Sequence, residues 1–305
     1  MVETPTPLTV RRIRFDWSET EPDRWHSSMP EFAAGANAVS LLMPHAEPFV
    51  ISALRRGVDE CGTTNPGLAE AVGDWASQES AHFRAHRDFN NALSERSAIA
   101  RVLDRVAKRI FGFLGGRSSG FGIAFAAAFE MVAFCSARWT EARMRQLFAG
   151  ADERAATLFL WHLAEEVEHK GVAHDVLDAH PDARPKLPFA LLVAFVVLMG
   201  FTALGGVALF VRTRAALHPI RWCRLIGWGF SMGFTIMPVL AGSLGSSFHP
   251  EQLVDPPWLG QWLREYDPTD ATLPYWTDAG LGSASTTSLA VDPKPVEGEL
   301  ERHAA

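Results

Sequence analysis

An all-α fold, a helical bundle with an additional apolar helical hairpin, is what the sequence predicts, and three observations carry it. The 305-residue chain contains no run that alternates polar and apolar residues at strand period. Two strings, Glu79-Ser80-Ala81-His82 and Glu166-Val167-Glu168-His169, lie inside long stretches of helical periodicity. A lone carboxylate, Glu130, stands in the middle of the apolar run Phe125–Phe134. Residues three apart share a helix face, so each Glu-x-x-His string presents a carboxylate and an imidazole to one point.

Taken in order, residues 1–36 are polar, carry Arg11-Arg12 and prolines, and read as a leader without periodicity. Met1–Asp16 has no apolar core, so no signal peptide is expected. The apolar Val39–Met43 feeds Pro44-His45-Ala46-Glu47-Pro48 and a helical run to about Glu60. Proline disfavours helical geometry in the residue before it, so Pro48 puts Glu47 at a helix start. Asn65-Pro66 caps a helix with Trp75, Glu79, His82, His86 and Phe89 on one side, ending near Glu95. Residues 97–114 are amphipathic and close at Gly115-Gly116. Ser118-Ser119-Gly120 precedes a long apolar helix to about Phe148, which Gly150 breaks. Asp152 starts the next helix, running through Trp161, Glu166 and His169 to His180, where Pro181 stops it. These elements make a metal-binding helical bundle over residues 37–182.

The composition then changes. Residues 183–275 hold an apolar pair of stretches and a Phe248-His249-Pro250 segment with Trp258, Trp262 and Tyr266. Pro188–Val211 carries no charge over a length that suits a membrane-spanning helix. Arg212, Arg214, Arg221 and Arg224 follow, then the glycine-rich apolar Leu225–Leu244. Two readings stand side by side: core helices of a large bundle, or a hairpin at a membrane with its arginines toward anionic head groups. Residues 276–305, rich in Gly, Ser, Thr, Ala and Pro, are expected to be a disordered tail.

A net charge of −7 excludes the basic face of a nucleic-acid binder. Cys61, Cys135 and Cys223 are far apart and read as buried free thiols of a reducing compartment. The expected location is cytoplasmic, at the inner face of the membrane if 188–245 associates with lipid.

The chemistry follows from the ligand types. Two Glu-x-x-His pairs, with one Glu from each of two further helices, compose the dinuclear site of a ferritin-like four-helix bundle. Glu47 precedes the first pair and Glu130 falls between the two. A lone carboxylate such as Glu130 is costly in apolar surroundings unless it is protonated, paired or bound to a cation. His162 lies four residues before Glu166, and His86 four after His82, extending each face. Glu and His without thiolate suit iron or manganese better than a structural zinc. Glu165 and His86 are read as groups orienting the ligand histidines, or as a base.

The strings Pro44-x-x-Glu47, Gln78-Glu79-x-x-His82-x-x-x-His86, Trp161-His162-x-x-Glu165-Glu166-x-Glu168-His169-Lys170, Asp175-Val176 and Phe248-His249-Pro250, with the lone Glu130, resemble a bacterial family labelled predicted metal-dependent hydrolases. The resemblance runs from about Arg11 to Tyr266. The ligand pattern alone is also similar to that of di-iron arylamine N-oxygenases, which use one additional histidine. That similarity implies a metal set of Glu47, Glu79, His82, Glu130, His162, Glu166 and His169. Met131 departs from the family's usual histidine at that position.

The leading expectation is a di-iron enzyme that holds two iron ions, activates O₂ and oxidises a small apolar or amphipathic substrate. It would need an electron-donor protein, since the chain has neither a dinucleotide fingerprint nor Fe–S cysteines. The alternative is a metal-dependent hydrolase with manganese or zinc and a metal-activated water. The third is a non-catalytic iron-binding bundle. An oligomer is compatible with the apolar helices.

Overall fold

The computed structural model describes residues 8–61, 66–245, 247–267, 269 and 273–277; most of the expected tail lies outside them. Helices account for most of the described chain, and the fold is all-α. The first helix, α1 (Pro30–Cys61), begins inside the stretch expected to be leader and runs straight through Pro44 and Pro48. Glu47 therefore sits in mid-helix and not at a start. A helical proline gives no N–H to the carbonyl four residues back. For Pro44 that carbonyl is Ser40, and the Asn90 side-chain amide donates to it at 2.7 Å. The neighbouring helix thus satisfies an acceptor that the proline frees, and packing on both sides holds the rest of the helix together.

α2 (Pro66–Arg96) and α3 (Ala98–Gly115) follow, the latter capped by the Ser97 hydroxyl. α4 (Ser119–Glu141) is almost wholly buried, and ends before the expected Phe148; a short α5 (Met144–Phe148) completes that stretch. Gly150 takes a φ of 74°, a conformation open to glycine, and Asp152 caps α6 (Glu153–His169) by accepting from Arg154 and Ala155. The helix expected to reach His180 breaks at Gly171, and α7 (Val172–Ala179) resumes it. A Cβ on Gly171 would lie 2.6 Å from the Glu251 carboxylate, so this break lets the 248–253 segment close in.

α1 packs on α2 and α4, and α6 packs on both of these, so four helices close a ring about a common centre. The first residues are also held against it. Trp25 stacks on Phe159 and gives its indole N–H to Asn37, while Trp17 meets Phe89 edge-on.

α8 (Leu187–Phe210) and α9 (Pro219–Gly242) each pack on α1 and α4 by one face. They are not core helices: Phe189, Leu192, Val196, Leu204, Phe230 and Phe234 are exposed. The second begins before the expected Leu225, so Arg221 and Arg224 lie in its first turns, where they pair with buried Glu31 at 2.8 and 3.5 Å. α10 (Pro257–Leu263) packs on α6. Among the cysteines only Cys135 is buried; Cys223 is exposed because α9 packs by a narrow face.

The α8–α1 contact is close because its residues are small. A Cβ on Gly206 would lie 3.1 Å from the Gly35 Cα, whereas one on Gly200 meets nothing. Gly206→Leu is expected to destabilise the fold by about 1–3 kcal/mol through overpacking. Gly200→Ala should leave thermal unfolding unchanged or raise it, by roughly 0.5–1 kcal/mol of helix propensity. Calorimetry of the two variants checks this pair.

Candidate metal centre

The ring's centre is polar. α1 brings Glu47, α2 brings Glu79, His82 and His86, α4 brings Glu130, and α6 brings His162, Glu165, Glu166 and His169. All are buried. The structure thus gathers the seven expected ligands, with Glu165 and His86, into one place. Donor atoms of Glu47, Glu79 and His82 lie within 4.8 Å of one another, as do those of Glu79, Glu130, Glu166 and His169, and those of His82, His162 and Glu166. Since Glu79, His82 and Glu166 are each shared, the three groups form one continuous cluster.

A second layer of residues orients the imidazoles. The His82 Nε2–H donates to the Glu165 carboxylate at 2.8 Å, and Glu165 also accepts from Arg11 at 3.1 Å. The His169 Nε2–H donates to the Gln78 amide oxygen at 2.7 Å, while the Gln78 amino group donates to Glu168 and the Thr9 carbonyl. The Ser40 hydroxyl donates to Asn90, so it accepts from His86 Nδ1, leaving His86 Nε2 to accept from His162 Nδ1 at 2.7 Å. In the neutral ring the unprotonated nitrogens are then His82 Nδ1, His169 Nδ1 and His162 Nε2. All three face the carboxylates, the tautomers that metal-binding histidines need.

The same atoms are those left without hydrogen bonds. Both oxygens of Glu47 and of Glu79, one each of Glu130 and Glu166, and Nδ1 of His82 and His169 are buried and lack a well-formed partner. Glu79 Oε1 nevertheless lies 2.8 Å from His169 Nδ1, and Glu166 Oε1 lies 2.7 Å from His162 Nε2. Lone pairs facing carboxylates at these distances require a shared proton or a cation between them. The donor set, its burial and its orphaned atoms fit metal ions.

Electrostatics agree. Burial, then the neighbouring Glu79 and Glu166 charges, pushes the Glu47 carboxyl well above the usual range. Glu130 rises likewise, through burial and then Glu166 and Glu79. Burial raises Glu79 and Glu166 as well, but their histidine partners outweigh it and hold both low. Burial would lower His82, yet hydrogen bonds to Glu165 and Glu79 raise it to about 9. His169 rises for the same kind of reason, through Glu166 and Glu79. His86 is held neutral by burial and by His162.

Glu165 and His86, read as orienting groups or as a base, have their side chains fully engaged as orienting groups. His174 lies outside the cluster, buried, with neither ring nitrogen bonded and its pKa lowered to about 3 by burial and His249. Sequence reasoning missed Arg11, which clamps both Glu165 and Glu168, because the leader shows no periodicity. It also missed Trp75, whose indole N–H reaches Glu130 at 3.2 Å, and the Ser40–Asn90 pair.

The profile of one protein family, described as predicted metal-dependent hydrolases, matches residues 9–253. The chain belongs to this family. The matched span takes in Arg11 at one end and runs past the Phe248-His249-Pro250 segment at the other, so it covers the ring, its outer layer and both apolar helices. No curated protein and no solved structure matches the chain significantly.

Two outcomes are expected. Glu130→Gln keeps an acceptor for Trp75 but removes an ionisable carboxyl, whose burial beside Glu166 and Glu79 is a cost to the metal-free fold. It should raise the melting temperature of chelator-treated protein and lower that of metal-loaded protein, opposite signs that differential scanning fluorimetry resolves. The His82 pKa lies above its unfolded value of about 6.5. Its stabilising contribution to the metal-free fold is therefore complete below that value and is lost as pH rises through about 9. Chelator-treated protein should melt progressively lower over that interval, whereas metal-loaded protein should not.

Proposed function

We propose that this chain is a dinuclear metal-dependent hydrolase. The observation that carries the reading is the inward set of orphaned carboxylate and imidazole atoms, on a chain whose family is described by metal-dependent hydrolysis. Four buried carboxylates, Glu47, Glu79, Glu130 and Glu166, carry a charge that two divalent cations would neutralise. His82, His162 and His169 supply the nitrogen share. These residues would hold the ions, and the chemistry so supplied would be a bound water of lowered pKa and a Lewis acid beside the scissile bond.

The chain's own groups then divide the work. Glu165 holds His82, Gln78 holds His169, and His86 holds His162, each through the distal ring nitrogen. Glu165 is committed to Arg11 and His82, which leaves it unsuited to carry a proton away. Glu47 has both oxygens free of hydrogen bonds and lies with Glu79 and His82, so it faces the ions as a ligand. An open cleft of about 420 Å³ between α1 and α2 is lined by Pro48, Ile51, Ser80 and Phe83 with Arg55, Arg56 and Asp59. Pro48 and Ser80 follow Glu47 and Glu79 directly in sequence, so the cleft is the approach we assign to a small amphipathic substrate.

A second reading, O₂-dependent oxidation with two iron ions, is favoured by the thiolate-free Glu/His donor set and by His162 standing four residues before Glu166. It needs an external electron donor. Protein purified without oxygen and loaded separately with Zn²⁺, Mn²⁺ or Fe²⁺ distinguishes the two. Under the hydrolase reading we expect two ions per chain by mass spectrometry, metal-dependent cleavage of p-nitrophenyl esters, and loss of both in His169→Ala. Oxygen uptake by the ferrous protein, with no hydrolysis under any metal, would select oxidation instead. A chain that takes up no metal would sink both.

A further inference from the structure

Three helices of this chain are long and apolar enough to cross a membrane, and they differ in how the fold covers them. In the most apolar 18 residues of α4, 89% of the residues are buried within the protein, and it is a core helix. The same share is 33% in the stretch Arg184–Phe210, which contains α8, and only 11% in α9. Their uncovered sides present Phe189, Leu192, Val196, Leu204, Phe230 and Phe234. A soluble monomer rarely leaves so many large apolar side chains bare on two successive helices.

α3 extends the same face. Its Leu103 lies against Gly205 of α8. Helical spacing places Val102, Val106 and Phe113 on the side of α3 next to Leu103, and all three are exposed. Arg105 and Arg109 come next around that helix, and Arg101 and Lys108 beyond them, all exposed. Arg117 caps the row with its guanidinium 4.0 Å over the Phe113 ring. An apolar stripe flanked by cations on one helix is the pattern of a segment lying in a membrane interface.

Charge selects the occupant. Residues 97–117 and 187–245 hold nine of the chain's 28 lysines and arginines but only one of its 35 acids; Arg221 and Arg224 are paired with Glu31, and the other seven carry the excess of positive charge. That acid, Asp104, is engaged by His45 at 2.8 Å. Across the ring, α2 exposes both signs, Glu70, Arg84, Arg87, Asp88 and Glu95, as a water-facing helix does. A second copy of this chain docking through the same face would set cations against cations, whereas anionic lipid is complementary to them. We propose that the face built from α3, α8 and α9 lies in the head-group and outer acyl layer of an anionic lipid bilayer, with the metal-binding ring held above it in water. This inference does not depend on which reaction the metal centre performs.

Flotation of the full chain with vesicles tests it, using phosphatidylcholine alone and phosphatidylcholine with about one third phosphatidylglycerol. The chain should float with the anionic vesicles at low salt, bind the neutral ones weakly, and lose affinity as ionic strength rises. Arg105→Gln with Arg109→Gln should weaken binding to anionic vesicles by about twentyfold, roughly fivefold per cation, with helical circular dichroism unchanged. Leu192→Ser with Leu204→Ser should weaken it independently of salt. Failure of the wild-type chain to float with anionic vesicles at low salt would overturn the proposal. So would equal, salt-independent binding to both vesicle types, or a vesicle-free dimer that the Leu192→Ser, Leu204→Ser variant converts to monomer.

Discussion

Four carboxylates share one buried space at the centre of this protein, and the rest of the structure is arranged around holding them there. Taking a single ion out of water costs several kcal/mol even after relaxation, and neighbours of like charge add to it. Glu47, Glu79, Glu130 and Glu166 each come from a different helix or a different turn, so no local preference brings them together. The apolar faces of α1, α2, α4 and α6 do so, through aromatic side chains such as Trp75, Trp161, Phe89 and Phe125 that are fully buried around the cluster. The hydrophobic effect closes the ring and forces the charges inward.

The outer layer explains how that arrangement stays defined. Each of the three inward histidines is held through its other nitrogen by a different partner: Glu165, Gln78 and His86. Those partners are themselves tied down, Glu165 by Arg11, Gln78 by Glu168 and the Thr9 carbonyl, and His86 by Ser40. A fully connected polar network of this kind fixes ring orientation and tautomer, whereas a partly connected one would cost more than an apolar core. Arg11 is the clearest case, since its bonds to Glu165 and Glu168 draw an otherwise aperiodic segment onto α6.

The molecule's surface differs in character from one side to the other. α2 carries mixed charge, while α8 and α9 are apolar and lack any acid. Small residues at the α8–α1 contact, Gly205 and Gly206 against Ala38 and Gly35, allow close backbone approach without bulky apolar side chains. Leu191, Leu198, Phe201 and Phe210 pack inward beside them, while Phe189, Leu192, Val196 and Leu204 face outward. The helix breaks at Gly150 and Gly171 likewise serve packing, the second by admitting Glu251, which lies 3.5 Å from Lys170.

By itself the sequence determined the helical class, the Glu-x-x-His pairs and the donor chemistry, because helix periodicity, caps such as Asp152 and ligand type are local properties. Even His162 was legible, since its spacing from Glu166 is a fact of one helix. What the tertiary structure decided is everything that depends on a partner distant in sequence. Pro44 and Pro48 argue locally for a helix boundary, but Asn90 and the packing of α1 override that preference. Arg11 becomes part of the centre only because the segment carrying it returns to a residue 154 positions away. The helix expected to reach His180 breaks at Gly171, and the absence of a Cβ there leaves room for the distant Glu251. An apolar helix of membrane-spanning length reads the same in sequence whether it is buried or bare. Only the fold shows that α4 is enclosed by its neighbours and α9 is not, because burial depends on what the rest of the chain brings alongside.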